Sequence, residues 1–248
     1  MSKRGKARKE KKLATKREWE AGQRAQRRQQ TAWVRRLAAW GGMVVGGGLL
    51  LAGLIIGGMR LFQTYSPMVK ISGPFGSIAR SELADSKFVT LQTTEGDIKL
   101  ELDVKNTPKT AANFVLLAGK DFYNGVKFHR IMKDFMVQSG DPNSKDDDPA
   151  NDGQGGPGYQ FDNEKITGEY TRGTLAMANA GENTNGSQFF IMHKDTNLPK
   201  NYVIFGHVVE GLDVLDKIAE TPVKDNGQGE VSQPTKDVVI NKVILSSE

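Results

Sequence analysis

The chain has 248 residues, 25% charged and 38% apolar, an ordinary balance for one or two folded domains. It has no cysteine, which excludes disulfide frameworks, thiolate zinc sites and cysteine nucleophiles. The net charge of +5 is unevenly spread: residues 1–40 hold 14 Lys/Arg and 3 Asp/Glu, and the rest hold 20 and 26, so the basic character belongs to the front of the chain.

Residues 1–36 form a basic arm. Residues 37–59 read LAAWGGMVVGGGLLLAGLIIGGM, 23 residues without a charge between Arg36 and Arg60. At about 1.5 Å per residue a helix of that length spans roughly 30 Å, so one transmembrane helix is expected there. Eight of its residues are glycine. Glycine weakens a helix in water but is tolerated in lipid, where an unpaired backbone group costs more. The long basic stretch ahead of the run, and the lack of a small-residue cleavage pattern after it, argue against a cleaved signal peptide. The positive-inside rule keeps the arm in the cytoplasm and carries everything after Met59 across the membrane. A single-pass protein with an extracytoplasmic folded domain is therefore expected. The arm suits contact with anionic lipid or RNA, or serves only as a solvated topology signal; no specific nucleic acid is expected. Residues 60–86, with Pro67, Gly73, Pro74 and Gly76, read as a linker holding the domain off the bilayer.

The folded domain is expected over residues 87–248. FVTLQTT and DIKLELD alternate about Glu95-Gly96, a hairpin pattern. Thr107-Pro108 offers an N-cap and a proline at N1, and TPKTAANFVLLAG predicts a helix ending at Gly119. Strand-like runs follow at VKFHRI, FMVQSG, GTLAMA, QFFIMH, VIFGHVV and VVINKVIL. A second helix is expected at LDVLDKIAE, and DNGQGEVSQP (Asp225–Pro234) reads as a mobile surface loop. Many short strands with two helices favour a mainly β fold, a closed antiparallel barrel.

Several motifs are set aside. GQGGPG (Gly153–Gly158) fits G-x-G-x-x-G but lies between DPNSKDDDPAND and YQFDNE, neither a strand nor a helix opening. The acidic run at Asp146–Asp148 lacks EF-hand spacing. His129, His193 and His207 show no metal-ligand spacing, each reading as a packed or surface histidine, and no serine stands in a G-x-S-x-G elbow.

What remains is FHRIMKDFMVQSGD (Phe128–Asp141) and ANAGENTNGSQFFI (Ala178–Ile191): an arginine and amides among apolar side chains, with no nucleophile. Strand parity puts Met136 with Gln138, Gln188 with Phe190, and Phe128 with Arg130. If these strands are neighbours, Arg130, Met136, Gln138, Gln188 and Phe190 line one outward cleft. Alternatively, Phe and Met fill the core while the glutamines are merely exposed.

These segments, with GTLAMANAGENTNGSQFFI and VIFGHVVEGLDVLDKI, resemble the cyclophilin-type peptidyl-prolyl cis-trans isomerases, bacterial members in particular. The similarity covers about residues 87–246 and leaves residues 1–86 untouched. It implies a closed eight-stranded β-barrel capped by two α-helices, and an isomerase acting on proline-containing polypeptides without cofactor or metal. It implies Arg130 as the catalytic residue. Phe135, Met136, Phe190 and Leu198 would form the proline pocket beside Gln138. Asn179, flanked by Ala178 and Ala180, would bind the substrate backbone, and Gln188 would position the peptide. Tyr202 stands where histidine is frequent and would wall the pocket. Asn197 stands where familiar members carry a tryptophan that contacts cyclosporin, so sensitivity to that drug is not implied. A proline-peptide binding module or chaperone scaffold with incidental catalysis is the alternative. It would prefer one sequence, where an isomerase turns over many.

Overall fold

The computed structural model describes residues 68–70 and 77–248. The expected basic arm and the expected membrane span at 37–59 lie outside these residues. Among the described residues no helix is long and apolar enough to cross a membrane.

The centre is a nine-stranded antiparallel sheet. Its strands are β3 (Phe88–Thr93), β4 (Gly96–Leu102), β5 (Val126–Lys127), β6 (Arg130–Met132), β7 (Met136–Ser139), β8 (Thr174–Met177), β9 (Phe189–Met192), β10 (Ile204–Glu210) and β13 (Val239–Ser246). The order is β5-β13-β3-β4-β10-β8-β9-β7-β6. The first and last strands of that order are separated in sequence only by Phe128 and His129, so the sheet curls until its edges are joined by the chain itself. This corrects the expected closed eight-stranded barrel. The run VKFHRI is not one strand: its start pairs with β13 and its end with β7. The seam is thus covalent rather than a ladder of hydrogen bonds.

Alternation explains the core. β3 buries every second residue, and Val89, Leu91, Ile98 and Leu100 face inward from the β3–β4 hairpin. The helix expected after Thr107 is α2 (Pro108–Ala118), ending at Gly119. Its N-terminus is not capped by Thr107, whose hydroxyl donates to the Asp103 carbonyl instead. Glu164 does that work: its carboxylate accepts from the N–H groups of Lys109 (2.9 Å) and Thr110 (2.7 Å) and from the Thr110 hydroxyl (2.7 Å). The second expected helix is α3 (Leu212–Ala219), which turns Val214, Leu215, Ile218 and Ala219 into the core.

Two expectations need correction. Part of the presumed linker belongs to the folded unit. There β1 (Met68–Lys70) pairs with β2 (Ser77–Ala79), and a single turn of helix, α1 (Arg80–Ala84), follows. Val69, Ile78 and Leu83 are buried in the main core. Three short elements give too little periodicity to be read from sequence, and burial is what fixes them. Likewise, the presumed loop at Asp225–Pro234 is largely a hairpin, β11 (Val223–Asp225) with β12 (Val231–Pro234), packed against β6.

A candidate active site along the β6–β7–β9–β8 row

Cross-strand pairing sets the site. Arg130 of β6 lies opposite Gln138 of β7, Gln138 opposite Phe190 of β9, and Phe190 opposite Ala176 of β8. Residues directly opposite share a face, so a guanidinium, an amide and an aromatic ring stand in one row. The same face carries a second apolar cluster apart from the main core. It contains buried Met136, Tyr170, Ala176, Phe190 and Met192, with half-exposed Met132, Phe135, Ala178, Leu198, Tyr202 and Ile204 packed on it. Every apolar side chain expected in the proline pocket is in this cluster.

Hydrogen bonds run through the row in one direction. Arg130 Nη1 donates to Gln138 Oε1 (3.3 Å), and Gln138 Nε2 donates to Gln188 Oε1 (2.9 Å). Gln188 Nε2 then donates to the carbonyls of Gly153 (2.9 Å) and Gly155 (2.8 Å). The GQGGPG segment is therefore a loop pinned beside the cleft. Gly140, just past β7, has a φ of +90°, and a Cβ there would strike the Ser187 carbonyl, so only glycine lets the Gln188 strand approach this closely.

Gln138, Gln188, Ala178, Asn179 and Ala180 line a cavity of about 820 Å³. The Asn179 side chain donates to the Asn201 carbonyl (3.0 Å) and accepts from the Gly181 N–H (3.2 Å). Tyr202 meets Phe190 edge-on, with ring centroids 5.4 Å apart. The Tyr170 hydroxyl locks it in place, donating to the Tyr202 carbonyl (2.8 Å) and accepting from its N–H (3.1 Å). Asn197 is exposed and outside the cluster.

Sequence reasoning missed Glu230. From the β11–β12 loop it meets Arg130 with two 2.7 Å hydrogen bonds, to Nε and Nη2. Those bonds hold its carboxyl down to about 2, against the opposing effect of partial burial. Tyr170 and Glu164 were missed for the same reason: no local pattern signals a partner 32 or 54 residues away.

The sequence profile described as "Cyclophilin type peptidyl-prolyl cis-trans isomerase/CLD" matches residues 88–245. The chain belongs to this family. It is a peptidyl-prolyl cis-trans isomerase. Similar curated proteins include "Peptidyl-prolyl cis-trans isomerase-like 3" of Gallus gallus, 42% identical over 63% of this chain and 94% of that protein. "Probable peptidyl-prolyl cis-trans isomerase B" of Mycobacterium tuberculosis is also 42% identical, over 63% of this chain and 54% of its own length. Equal identity to a bird and a bacterial protein gives no preference for the expected bacterial likeness. A crystal structure of a Cryptosporidium parvum cyclophilin-type isomerase superposes with a TM-score of 0.56 at 34% identity, covering 65% of this chain and 98% of that one. The row of arginine, glutamine and aromatic ring lies on the face of the sheet opposite Val137 and Ile191, which belong to the main core.

Proposed function

We propose that this isomerase works from a membrane anchor on unfolded or newly exported polypeptides, with its cleft outside the cytoplasm. The observation that carries the catalytic assignment is the Arg130–Gln138–Phe190 row, which sets one fixed cation beside an apolar shelf. The anchor rests on the 23 uncharged residues at 37–59 and the basic arm before them.

Prolyl isomerisation breaks no covalent bond. Its obstacle is amide resonance, a rotational barrier of about 18–20 kcal/mol. In the twisted state the proline nitrogen loses conjugation and regains a lone pair. A guanidinium aimed at that nitrogen favours the twisted state over both planar ones, which is differential binding. Glu230 engages Nε and Nη2, while Nη1 donates to Gln138 Oε1 (3.3 Å) and lies 3.8 Å from Met136 Sδ at the edge of the shelf. Met136 and Phe190, with Phe135, Leu198 and Tyr202 around them, grip the ring. Backbone groups of Asn179 make no hydrogen bond among the described residues. In this reading they pair with an extended peptide held against Ala178, Ala180 and Gln188. A Cryptosporidium parvum relative was crystallised in the presence of the dipeptide Ala-Pro, which supports a proline-containing ligand.

The test uses the full chain in detergent micelles. Exchange NMR on a series of Ala-X-Pro-Phe peptides should show broad turnover that collapses in Arg130→Ala while the fold persists. Turnover of one sequence alone would favour the binding-module reading. Protease protection in sealed vesicles should cleave the folded domain from one side and the basic arm from the other; cleavage of both from one side would remove the anchor.

A further inference from the structure

On the far side of Arg130 from the apolar shelf lies a polar hollow of about 510 Å³, between Pro149–Gly153 and the β11–β12 hairpin. A smaller one of about 230 Å³ adjoins Lys127 and the acidic run. His129 and Asp152 line both.

His129 is nine-tenths buried, with both ring nitrogens closed off and the Lys127 carbonyl as their polar neighbour. Its Nε2 looks toward the hollow's lip, 3.7 Å from where a Cβ on Gly153 would stand. Burial pushes its pKa down to about 4, over the upward pull of Asp141 and the Lys127 carbonyl, so the imidazole is neutral and adds no positive charge beside Asp152. The Asp152 carboxylate makes no hydrogen bond or ion pair among the described residues. Burial first, and the charge of Asp141 second, hold its carboxyl up to about 6 against the weaker opposing charge of Lys127. Nearby cations are already engaged: Lys127 pairs with Asp237 at 2.9 Å and Arg130 with Glu230 at 2.7 Å. The half-buried Asp152 carboxylate is therefore left facing open volume without a paired cation, with the His129 ring enclosed behind it. A bare metal ion fits poorly, because among the described residues no group of three or more His, Asp or Glu converges on one point. An ammonium or guanidinium supplies several N–H donors and the missing positive charge.

We propose that this hollow is a subsite of the isomerase cleft and takes the lysine or arginine side chain of a substrate polypeptide close to the isomerised proline. It rests on the isomerase reading, since Arg130 and Gln138 form its wall toward the cleft. An extended peptide advances about 3.3–3.6 Å per residue, so a long basic side chain a few residues from the proline reaches it.

The test is a peptide series with lysine, arginine or norleucine placed in turn at each of three positions on either side of the proline. Full-length protein in micelles is followed by exchange NMR. At one position lysine and arginine should raise kcat/KM about tenfold over norleucine, mainly through KM, and added salt should reduce the gain. Asp152→Asn should bring that ratio toward one. Each ratio is taken within one variant, so a partial loss of folded protein cancels. Equal rates for lysine and norleucine at all positions, or a ratio that survives Asp152→Asn, would overturn the subsite. Failure of every peptide, norleucine included, would instead overturn the isomerase reading beneath it.

Discussion

Glu230 and Arg130 meet fork to fork, with both carboxylate oxygens 2.7 Å from guanidinium nitrogens 100 residues away in the chain. Such a bidentate pair fixes the plane of the guanidinium as well as its position. We expect Glu230→Ala to lower kcat about tenfold, roughly 1.4 kcal/mol of transition-state stabilisation, with KM little changed. Exchange NMR on a short X-Pro peptide reads this directly. A rise in kcat would show that the carboxylate restrains the arginine rather than aims it.

The arginine itself is tested by two replacements. Arg130→Ala removes the cation and should cost about 10²–10³ in kcat. Arg130→Lys keeps the charge but loses the planar fork that Glu230 and Gln138 hold, so it should recover only part of the rate. Equal activity of the lysine variant and the parent would mean that charge alone suffices and that the fork geometry is incidental.

The ion pair also has a pH signature. Glu230 titrates at about 2 in the fold against an ordinary 4.5, chiefly through its hydrogen bonds from Arg130. A depressed carboxyl stabilises the fold above its unfolded pKa and loses that contribution as pH falls through its folded pKa. The stability gap between the parent and Glu230→Gln should thus be constant above about pH 4.5 and close toward pH 2. Urea midpoints taken between pH 7 and 2 check it. A gap that stays constant from pH 7 to 2 would mean that the carboxyl is not held down.

Much of the site was legible because it obeys period two. Met136 with Gln138 and Gln188 with Phe190 follow from strand parity, and the neighbouring of β6, β7 and β9 then completes the row. The helix at Pro108–Ala118 was legible from its proline, its apolar spacing and its glycine stop. What escaped is non-local. Glu230 reaches Arg130, and Glu164 reaches α2, only after the sheet has curled. The break at Phe128–His129 is set by two different partner strands, not by either residue. Asn185 shows the converse: a glycosylation pattern by spelling, it is fully buried, with its amide donating to Phe161 and Asn163.

Glu164 can be tested as a helix cap supplied from a distance. It satisfies two backbone N–H groups at the start of α2, where Pro108 has none to offer and Thr107 turns away. Removing a cap costs about 1–2 kcal/mol. Glu164→Ala should lower Tm by about 2–4 °C for each kcal/mol lost, and Glu164→Gln by less, since an amide oxygen still accepts. Unchanged Tm in both variants would show that water replaces the carboxylate at no cost.

Leu83 decides where the folded unit begins. It lies on the single turn of α1, is 1% exposed, and belongs to the same core as Phe114 and Leu117 of α2. A side chain on a true linker is replaceable at a cost near zero, whereas truncating a leucine in a packed core costs about 2–5 kcal/mol. We expect Leu83→Ala to fall in the latter range, measured as a lowered urea midpoint at unchanged m-value. Ile78→Ala should act in the same direction, because Ile78 is 2% exposed in that core. Losses below about 0.5 kcal/mol for both would return residues 77–86 to the linker. Losses in the expected range would mean that a fragment starting at residue 87 exposes part of its own core, and that measurements of the cleft belong on a longer chain.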